Sequence, residues 1–406
     1  MKKIYAIFSL ILSLIISFQL LTVPVKALAP KRGEKVEKSE SQSQNQSSVG
    51  FEPQAKSALL IEPTTGKVIY EKNSKEKFAP ASVTKIMTML LAMEAIDSGK
   101  VKLTDKIVCS EKVKSMGGSS MILDNGEVRT VEEILKGIAI ASGNDAAVAM
   151  AEFLEGSEEA FVVKMNEKAK AIGMNDTTFR NCTGLSADGH LSTAYDIALM
   201  SMELLKHPTI LKYSSIYMET ISEGRQSPIE LVNHNKLVRF YKGCDGLKTG
   251  FTTEAMYCIS ATAVRNDVRM LSVIMGAPTY KQRNADASKL MDFGFAKFES
   301  KNIIAKDGDV EQVPLSKKGD KFFIAKAKED VKITLEKGTE GNISKKVTIN
   351  QNSKNIKEGD IIGFCEVFMG DKLVKKIDLY CDREVKQSQF MNNLKNMITE
   401  LFDNSL

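Results

Sequence analysis

Residues 78–98 read FAPASVTKIMTMLLAMEAIDS, a short polar start followed by an almost continuous apolar run. Helix-forming residues dominate from Ser82 onward, and a helix that is hydrophobic on most sides belongs inside a large domain. Ser82 and Lys85 are three residues apart, so both side chains lie on one face of such a helix. The stretch therefore predicts a buried helix with a serine and a lysine side by side at its start.

This serine–lysine pair suits nucleophilic chemistry. A serine hydroxyl is a weak nucleophile and needs a base within hydrogen-bonding reach. Lysine is a base only when neutral, which requires burial or a second cation close by. The pair alone is a weak signal, because Ser74 and Lys77 have the same spacing. That second copy lies in a charged segment with no apolar helix behind it, and we expect it to be solvated surface.

Two further short motifs follow in the chain. Residues 142–144 (Ser-Gly-Asn) separate two apolar helical runs, where a second hydroxyl could relay a proton and an amide could hold a peptide group. Residues 248–250 (Lys-Thr-Gly) precede a predicted hairpin, where a cation and a hydroxyl suit an anion and the glycine permits close backbone approach. Each motif alone is explained as well by a helix cap or a turn. All three in this order are typical of β-lactamases and penicillin-binding proteins.

The N-terminus predicts export. Residues 1–27 begin Met-Lys-Lys, continue with an apolar run and end with small residues at Val25 and Ala27, which is the pattern of a cleaved signal peptide. An uncleaved membrane anchor is the alternative, because the apolar run is nearly long enough to span a bilayer. Residues 28–50 are rich in Ser, Gln, Lys and Glu, so we expect a disordered linker.

Two domains and a terminal helix are predicted beyond the linker. Residues 51–300 mix strands and helices, with a capping box at residues 130–133 and a hairpin over 256–277. Residues 301–385 contain short alternating apolar runs that predict a small β-sandwich or barrel. Residues 386–406 place apolar side chains on one helical face, which fits either a membrane interface or packing against protein.

Composition argues against other classes of protein. Loss of the three lysines in the leader lowers the formal charge from +5 to +2, and no basic cluster contains interleaved aromatics, so no nucleic-acid partner is expected. Six cysteines without a CxxC and three histidines give no zinc-ligand pattern, and we predict no metal and no other cofactor. Disulfides are allowed in an exported chain, but buried free thiols are the favoured interpretation.

From about residue 52 to 300 the chain resembles the low-molecular-mass penicillin-binding proteins that are D-alanyl-D-alanine carboxypeptidases. The resemblance rests on four stretches: FAPASVTKIMTMLLAMEAI (78–96), SGNDAA (142–147), GMNDTTFRNCTGLSADGHLSTAYDIALMS (173–201) and GCDGLKTGFTTEAMYCISATA (243–263). It implies an α/β (α+β) penicillin-binding-protein/β-lactamase-like transpeptidase domain. A small all-β domain and a C-terminal amphipathic helix would follow.

The resemblance also implies residue roles. Ser82 would form the acyl-enzyme, Lys85 would be the general base and Ser142 would pass a proton toward the leaving amine. The implied substrate-binding residues are Asn144 for the acyl side chain, Lys248 and Thr249 for the terminal carboxylate, Gly250 and Phe251 along the strand, and Arg283 in support of the carboxylate. The backbone N–H groups of Ser82 and Phe251 would form the oxyanion hole. The charge of Lys248 would also help to keep Lys85 neutral.

Several residues outside these motifs bear on the resemblance. Met256 stands where many members have glycine, which predicts crowding at the far end of the strand. Cys182 stands where proline is usual and is expected to be structural. His190 and Asp196 belong to the family pattern, and we interpret them as scaffold.

The implied activity removes the terminal D-alanine from peptidoglycan stem pentapeptides through an acyl-enzyme that β-lactams would block. A DD-endopeptidase shares every motif, and a β-lactam sensor or scaffold would be acylated without turnover. A class A-like β-lactamase would need a well-placed glutamate, which the sequence after Asn144 does not supply. The protein would be extracytoplasmic, with residues 386–406 as a possible contact to the outer face of the cytoplasmic membrane.

Overall fold

The computed structural model describes residues 50–221, 227–314, 322–350 and 356–385. The predicted signal peptide, nearly all of the predicted linker and the predicted terminal helix lie outside these ranges. Within them, mixed α and β structure precedes residue 298 and only strands follow it.

A five-stranded antiparallel sheet runs through the mixed part. Its strands are β1 (Ser57–Glu62), β2 (Lys67–Lys72), β7 (Cys244–Thr252), β8 (Met256–Arg265) and β9 (Val268–Ala277). They are ordered β2–β1–β9–β8–β7, which leaves β7 at an edge. The predicted 256–277 hairpin is confirmed, and Asn266 and Asp267 make its turn with positive φ angles of 50° and 61°.

Helices cover both faces of this sheet. They are α1 (Lys85–Asp97), α2 (Glu111–Lys114), α3 (Val131–Ala139), α4 (Asn144–Glu155), α5 (Glu158–Ala171), α6 (Ala194–Leu205), α7 (Thr209–Ser214), α8 (Leu237–Phe240) and α9 (Tyr280–Lys297). Helices α1, α3, α4 and α6 form the larger hydrophobic core on one face. Helix α9 packs on the other face against β8 and β9. Two separate two-stranded sheets complete the mixed part: β3 (Lys106–Val108) with β4 (Val128–Thr130), and β5 (Met218–Ile221) with β6 (Ile229–Val232).

The predicted buried helix is α1, but it begins later than predicted. Residues 81–84 form a 3-10 turn, and regular helix starts at Lys85 rather than at Ser82. The cause lies in the preceding backbone, because Ala81 has a positive φ of 48°, which is incompatible with a continuous helix. Ser82 therefore sits on a tight turn at the entrance to a helix that is buried along most of its length.

The described residues of the all-β part form seven strands. They are β10 (Phe298–Ile304), β11 (Asp309–Pro314), β12 (Phe322–Ala327), β13 (Val331–Glu336), β14 (Ile343–Ile349), β15 (Ile361–Met369) and β16 (Lys372–Cys381). Strands β10 and β13 pair with each other, and the other five form a sheet ordered β11–β12–β16–β15–β14. Residues from both sheets share one hydrophobic core, so the predicted all-β character of this part is confirmed.

Lysines of the β part make several of the contacts between the two parts. Lys372 Nζ donates to the carbonyl oxygens of Thr64 (3.3 Å) and Thr65 (2.5 Å) in the β1–β2 turn. Lys332 Nζ lies 2.9 Å from the Asp267 carboxylate, in the turn between β8 and β9. These contacts tie the second part to turns of the central sheet.

All six cysteines are buried and unpaired, as the sequence interpretation favoured. No helix in the described part of the chain combines the length and the apolar character needed to cross a bilayer.

Candidate active site

Lys85 is the centre of the candidate site. Its Nζ lies 3.1 Å from Ser82 Oγ, 2.6 Å from Asn144 Oδ1 and 2.7 Å from the carbonyl oxygen of Thr183. The whole residue is buried, and burial lowers the pKa of its ammonium group from 10.5 to about 7. The predicted serine–lysine pair is thus formed, with an amine that is neutral in a large fraction of molecules near pH 7.

The partners of Lys85 also orient its lone pair. A neutral amine has two N–H bonds and one lone pair, and the oxygens of Asn144 and Thr183 can only accept. If these two oxygens take the two N–H bonds, the lone pair is left for the Ser82 hydroxyl. The arrangement therefore suits Lys85 to accept the proton of Ser82, which is what a general base must do.

Two glycines pack directly against the Ser82 turn. A Cβ on Gly250 would lie 2.8 Å from the backbone nitrogen of Ser82. A Cβ on Gly184 would lie 1.9 Å from the carbonyl oxygen of Ala81, and Gly184 has a positive φ of 84°. Strand β7 and the loop after residue 181 therefore approach the nucleophile from two sides as closely as backbone allows.

Asn144 and Ser142 come from the junction between α3 and α4. Asn144 is the first residue of α4, its side chain donates to the carbonyl oxygen of Gly117 (2.7 Å), and its oxygen accepts from Lys85. Ser142 is buried and has a positive φ of 62°, a strained conformation of the kind found at functional sites. Among the described residues its hydroxyl makes no hydrogen bond to Ser82 or Lys85. The structure therefore places Ser142 two residues from Asn144 without a direct contact to the pair.

Asp145 organises the loop below this junction. Its carboxylate accepts from the backbone N–H groups of Met121 (3.0 and 2.9 Å) and Leu123 (3.1 Å) and from the Ser120 hydroxyl (2.6 Å). The negative charge of Asp145 acts against burial by raising the pKa of Lys85. Sequence reasoning missed this residue, because an acidic residue in the first turn of a helix is an ordinary feature.

Lys248 lies on the face of β7 that covers Ser82. Alternate residues of a strand share a face, so Lys248 projects to the same side as Gly250, which touches the Ser82 turn. Lys248 Nζ donates to the carbonyl oxygen of Thr249 (2.9 Å). Burial, followed by the positive charges of Lys85 and Arg283, holds the pKa of Lys248 well below its usual range. Repulsion between the two lysines is mutual, so protonation of either one disfavours protonation of the other.

Thr249, Phe251 and Arg283 belong to the opposite side of the β7 edge. By strand alternation Thr249 and Phe251 project toward the side on which α9 packs. Arg283 is buried on α9, donates to Asn284 Oδ1 (2.8 and 3.0 Å), and its charge lowers the pKa of Lys248. Burial also lowers the pKa of Arg283 to about 10. No direct contact joins Arg283 to Thr249 or Lys248 among the described residues, so Arg283 acts on the site through its charge.

Met256 is the first residue of β8 and lies at the end of the β7–β8 pair where the sequence predicts crowding. It pairs with Thr252 and has a positive φ of 56°, a conformation that favours glycine.

His190 contacts Thr84, which lies between Ser82 and Lys85 in the serine–lysine motif. The backbone N–H of Arg180 donates to Nδ1 of His190 (3.1 Å), so the proton of the neutral ring is on Nε2, which donates to Thr84 Oγ1 (2.8 Å). Burial and the charge of Arg180 lower the pKa of His190 to about 4, which keeps the ring neutral. Asp196 accepts from Asp176 and Thr177 at the start of α6. These contacts agree with the interpretation of both residues as scaffold.

Cys182 precedes the carbonyl that binds Lys85. Its own carbonyl oxygen accepts from Thr88 of α1 (2.7 Å), and its thiol donates to Glu158 (3.3 Å). Burial and Glu158 raise the pKa of the thiol well above its usual range, so Cys182 is not a nucleophile. The carbonyl of Thr183 and the close packing of Gly184 were missed from the sequence, because backbone contacts leave no periodic pattern.

The second serine–lysine pair is not part of the site. Ser74 is buried and donates to Glu71 (2.6 Å), so our expectation of a solvated serine was wrong. The cause is the contact of this turn with α6, where the backbone N–H of Tyr195 donates to the Ser74 carbonyl (2.9 Å). Lys77 is half exposed and lies 3.1 Å from Asp176. In the described part of the chain, no group of acidic, histidine and cysteine residues could hold a metal ion.

Comparison with known proteins agrees with this geometry. A sequence model of the D-alanyl-D-alanine carboxypeptidase family matches residues 40–279. A model of the penicillin-binding protein 5 C-terminal domain matches residues 298–387. The D-alanyl-D-alanine carboxypeptidase DacF of Bacillus subtilis is 43% identical over 388 residues, which covers 95% of this chain and 97% of that protein.

The chain belongs to the D-alanyl-D-alanine carboxypeptidase family. It is therefore a serine hydrolase of that family, and the resemblance seen in its sequence is confirmed. Penicillin-binding protein 5 from Haemophilus influenzae has a similar structure, with a TM-score of 0.61, 28% identity and coverage of 83% of this chain and 98% of that one. Penicillin-binding protein D2 from Listeria monocytogenes, solved in an ampicillin-bound form, gives a TM-score of 0.54 and 33% identity, covering 60% of this chain and 98% of that one.

Proposed function

We propose that this chain is a serine-type D-Ala-D-Ala carboxypeptidase that removes the terminal D-alanine from peptidoglycan stem pentapeptides and is inhibited by β-lactams. The observation that carries the proposal is the environment of Lys85, a buried amine with Ser82 at 3.1 Å and two acceptors that orient it. Family membership supports the choice of a peptide ending in D-Ala-D-Ala.

Acylation begins with proton transfer from Ser82 Oγ to neutral Lys85 while the oxygen attacks the carbonyl carbon of the penultimate D-alanine. The carbonyl oxygen becomes an oxyanion, which the backbone N–H groups of Ser82 and Phe251 would bind. Gly250 allows β7 to lie against the Ser82 turn, which brings the two N–H groups together. Removing one N–H donor from an oxyanion hole typically costs about 3 kcal/mol of transition-state stabilisation. The substrate carboxylate would form an ion pair with Lys248. Its negative charge would raise the pKa of Lys248, which burial lowers, and so favour the protonated form.

Collapse of the tetrahedral intermediate breaks the C–N bond and forms the Ser82 ester. The leaving D-alanine amine takes the proton from Lys85, directly or through Ser142. Water then attacks the ester, gives a proton to the neutral lysine, and the shortened peptide leaves with a new carboxylate. Ser82 recovers its proton from Lys85, so the enzyme returns to its starting state.

The direct test is release of D-alanine from a peptide ending in D-Ala-D-Ala by the purified full-length protein, with Ser82→Ala as control. Stoichiometric acylation by benzylpenicillin, seen as a mass increase on Ser82, would accompany it. Cleavage of crosslinked dimers without release of terminal D-alanine would indicate an endopeptidase. Fast hydrolysis of a cephalosporin would indicate a β-lactamase, and acylation without any turnover would indicate a sensor. Activity that persists in Ser82→Ala would contradict the mechanism.

We also propose that the protein is exported and acts at the outer face of the cytoplasmic membrane. The signal-peptide pattern of residues 1–27 and the apolar helical face of residues 386–406 support this proposal. Deletion of residues 386–406 is expected to release the protein from isolated membranes. If the shortened protein stays with the membrane fraction, the terminal segment is not the anchor.

A further inference from the structure

A cavity of about 590 Å³ lies between the peptidase part and the all-β part. The β1–β2 turn and helix α6 line it on one side, and the first two residues of β16 line it on the other. Its volume falls within the range of small-molecule sites. No residue of the three sequence motifs lines it, so it is separate from the candidate active site.

The floor of the cavity is aliphatic. Four side chains of the peptidase part reach it from the larger hydrophobic core and are only half-buried: Ile172, Leu199, Met202 and Leu205. Leu373 of β16 lines the opposite side and is 46% exposed. These side chains leave apolar surface in contact with water, which an aliphatic chain would cover. None of the described lining residues is aromatic, so the ring faces on which nucleobases stack are missing.

Three cations and one carboxylate also line the cavity. Arg269 makes two hydrogen bonds, of 2.9 and 2.8 Å, to the carboxylate of Asp245. Lys206 Nζ lies 2.5 Å from the carboxylate of Glu203. Carboxylates of the protein therefore already balance the charges of these two cations.

Lys372 is the lining cation that has no carboxylate partner in the described part of the chain. Its Nζ donates to the carbonyl oxygens of Thr64 and Thr65, which are neutral acceptors. The buried Glu62 carboxylate beneath this turn accepts from the backbone N–H groups of the same two threonines and makes no contact with Lys372. An ammonium group has three N–H bonds, so one bond of Lys372 remains for another acceptor. An anion in the cavity would thus meet an unbalanced positive charge beside an aliphatic surface.

We propose that this cavity binds a free aliphatic anion with a single chain, such as a fatty acid of medium length. Its carboxylate would accept from Lys372, and its chain would lie between α6 and Leu373. Because both parts of the protein supply walls, a bound chain would add a contact between them. The site lies outside the three motifs, so the inference does not depend on the reaction at Ser82.

The first test titrates the full-length protein with hexanoate, octanoate and decanoate by isothermal titration calorimetry. Burial of the chain predicts saturable binding to one site, with an affinity that rises up to about fourfold for each added methylene group. Octanoate should bind about threefold to tenfold more tightly than 1-octanol at low ionic strength, the range for an ion pair that is open to solvent. Absence of saturable binding at millimolar concentrations, or equal affinities for octanoate and octanol, would overturn the proposal.

Lys372→Met tests the ammonium group. This variant should bind octanoate and octanol with nearly equal affinity and should bind octanol as the unaltered protein does. Lys301→Met is the matched control, because Lys301 also donates to a backbone carbonyl, that of Thr339 (2.8 Å), but does not line the cavity. The control should keep the full preference for octanoate. The same preference in Lys372→Met would contradict the assignment of the carboxylate to Lys372.

Leu373→Asp tests the aliphatic wall. The substitution removes apolar surface and places a negative charge beside the carboxylate, so octanoate should bind about tenfold more weakly or worse. Ile361→Asp is the matched control, because Ile361 is 47% exposed on the neighbouring strand β15 but does not line the cavity. Equal affinities of the two variants for octanoate would place the binding site elsewhere and overturn the proposal.

Two other occupants of the cavity are distinguished by the same titration. If octanoate binds only after deletion of residues 386–406, the terminal segment fills the cavity and the proposal is wrong. If light scattering shows a dimer that octanoate dissociates, a second copy of the chain fills it and the proposal is equally wrong. A full-length monomer that binds octanoate supports the proposed ligand.

Discussion

Lys85 and Lys248 are two buried amines in one site, and the proposed mechanism needs them in different states. Lys85 must be neutral to accept a proton, whereas Lys248 must be charged to bind a carboxylate. Burial lowers the pKa of both groups, and the positive charge of Lys85 lowers the pKa of Lys248 further. Because repulsion between two cations is mutual, a charge on Lys248 also disfavours a charge on Lys85. An arriving carboxylate stabilises the charge on Lys248, and that charge in turn favours neutral Lys85. Substrate binding would thus prepare the base.

The low pKa of Lys85 predicts the acid limb of the pH profile. Its pKa is lowered to about 7, so the neutral form is lost as the pH falls through this value. We expect the rate of acylation by benzylpenicillin to rise with pH up to a plateau above pH 7, and to fall about tenfold for each pH unit well below it. Stopped-flow acylation between pH 5 and 9 measures this limb.

Lys85→Arg serves as the control, because guanidinium stays protonated throughout this range and should give a very low rate without the limb. A profile of the unaltered protein that is flat from pH 5 to 7 would contradict a base of this pKa.

The close packing of Gly184 against the Ser82 turn leads to a second prediction about a single residue. Alanine there would be strained by its φ of 84° and would place Cβ 1.9 Å from the carbonyl oxygen of Ala81. We expect Gly184→Ala to lower the free energy of unfolding by about 3 kcal/mol and to reduce acylation strongly, since the turn that holds Ser82 must move. Denaturant unfolding and acylation rates measure both effects.

Gly156 provides the matched control for this substitution. Its φ of 81° is nearly the same, but its Cβ would meet nothing within 4 Å. Gly156→Ala should cost only the backbone strain, about 1 kcal/mol, and leave acylation unchanged. If both variants show the same loss of stability and the same acylation rate, the close contact between Gly184 and Ala81 does not affect the function of Ser82.

At the scale of elements, the junction between α3 and α4 depends on Asp145. Replacement by alanine would leave the buried N–H groups of Met121 and Leu123 without their acceptor. Each unsatisfied group costs about 1–3 kcal/mol, so we expect Asp145→Ala to lower the free energy of unfolding by about 3 kcal/mol. Asp124 lies in the same segment, but it is exposed and its carboxylate forms an ion pair with Lys114. Asp124→Ala should therefore change stability by less than about 0.5 kcal/mol. Similar losses in both variants would show that Asp145 does not organise the loop.

The elements that the sequence predicts well are those with local signals. The capping box at Thr130 and Glu133 forms as expected and starts α3, and alternating apolar runs mark β13 to β16. The start of α1 was misplaced because Ala81 adopts a positive φ, which close contacts of distant segments hold in place. The same limit applies to the site. Its motif side chains were predicted, but the carbonyl of Thr183 and the loop around Asp145 depend on tertiary contacts that no spacing reveals.

At the scale of the molecule, the all-β part contacts the peptidase part at turns of the central sheet and at the end of α9. Lys372 reaches the β1–β2 turn, Lys332 reaches Asp267, and Lys67 lies 2.9 Å from Glu336. The two ion pairs are largely exposed, and such pairs contribute little to stability. None of these contacts involves a residue that binds Lys85 or supports the Ser82 turn.

This separation predicts that the peptidase part acts alone. A chain that ends at Ser300 keeps Phe298, which belongs to the core beneath α9. We expect the shortened protein to be acylated by benzylpenicillin within about threefold of the full-length rate. The contacts it loses are the pairing of residues 298–300 with β13, hydrogen bonds from lysines of the β part, and exposed ion pairs, and none of them involves a residue that binds Lys85. Ser82→Ala in the shortened protein controls for non-specific labelling, and circular dichroism checks that it is folded. A folded, shortened protein that is acylated more than about tenfold more slowly would show that the β part supports the site.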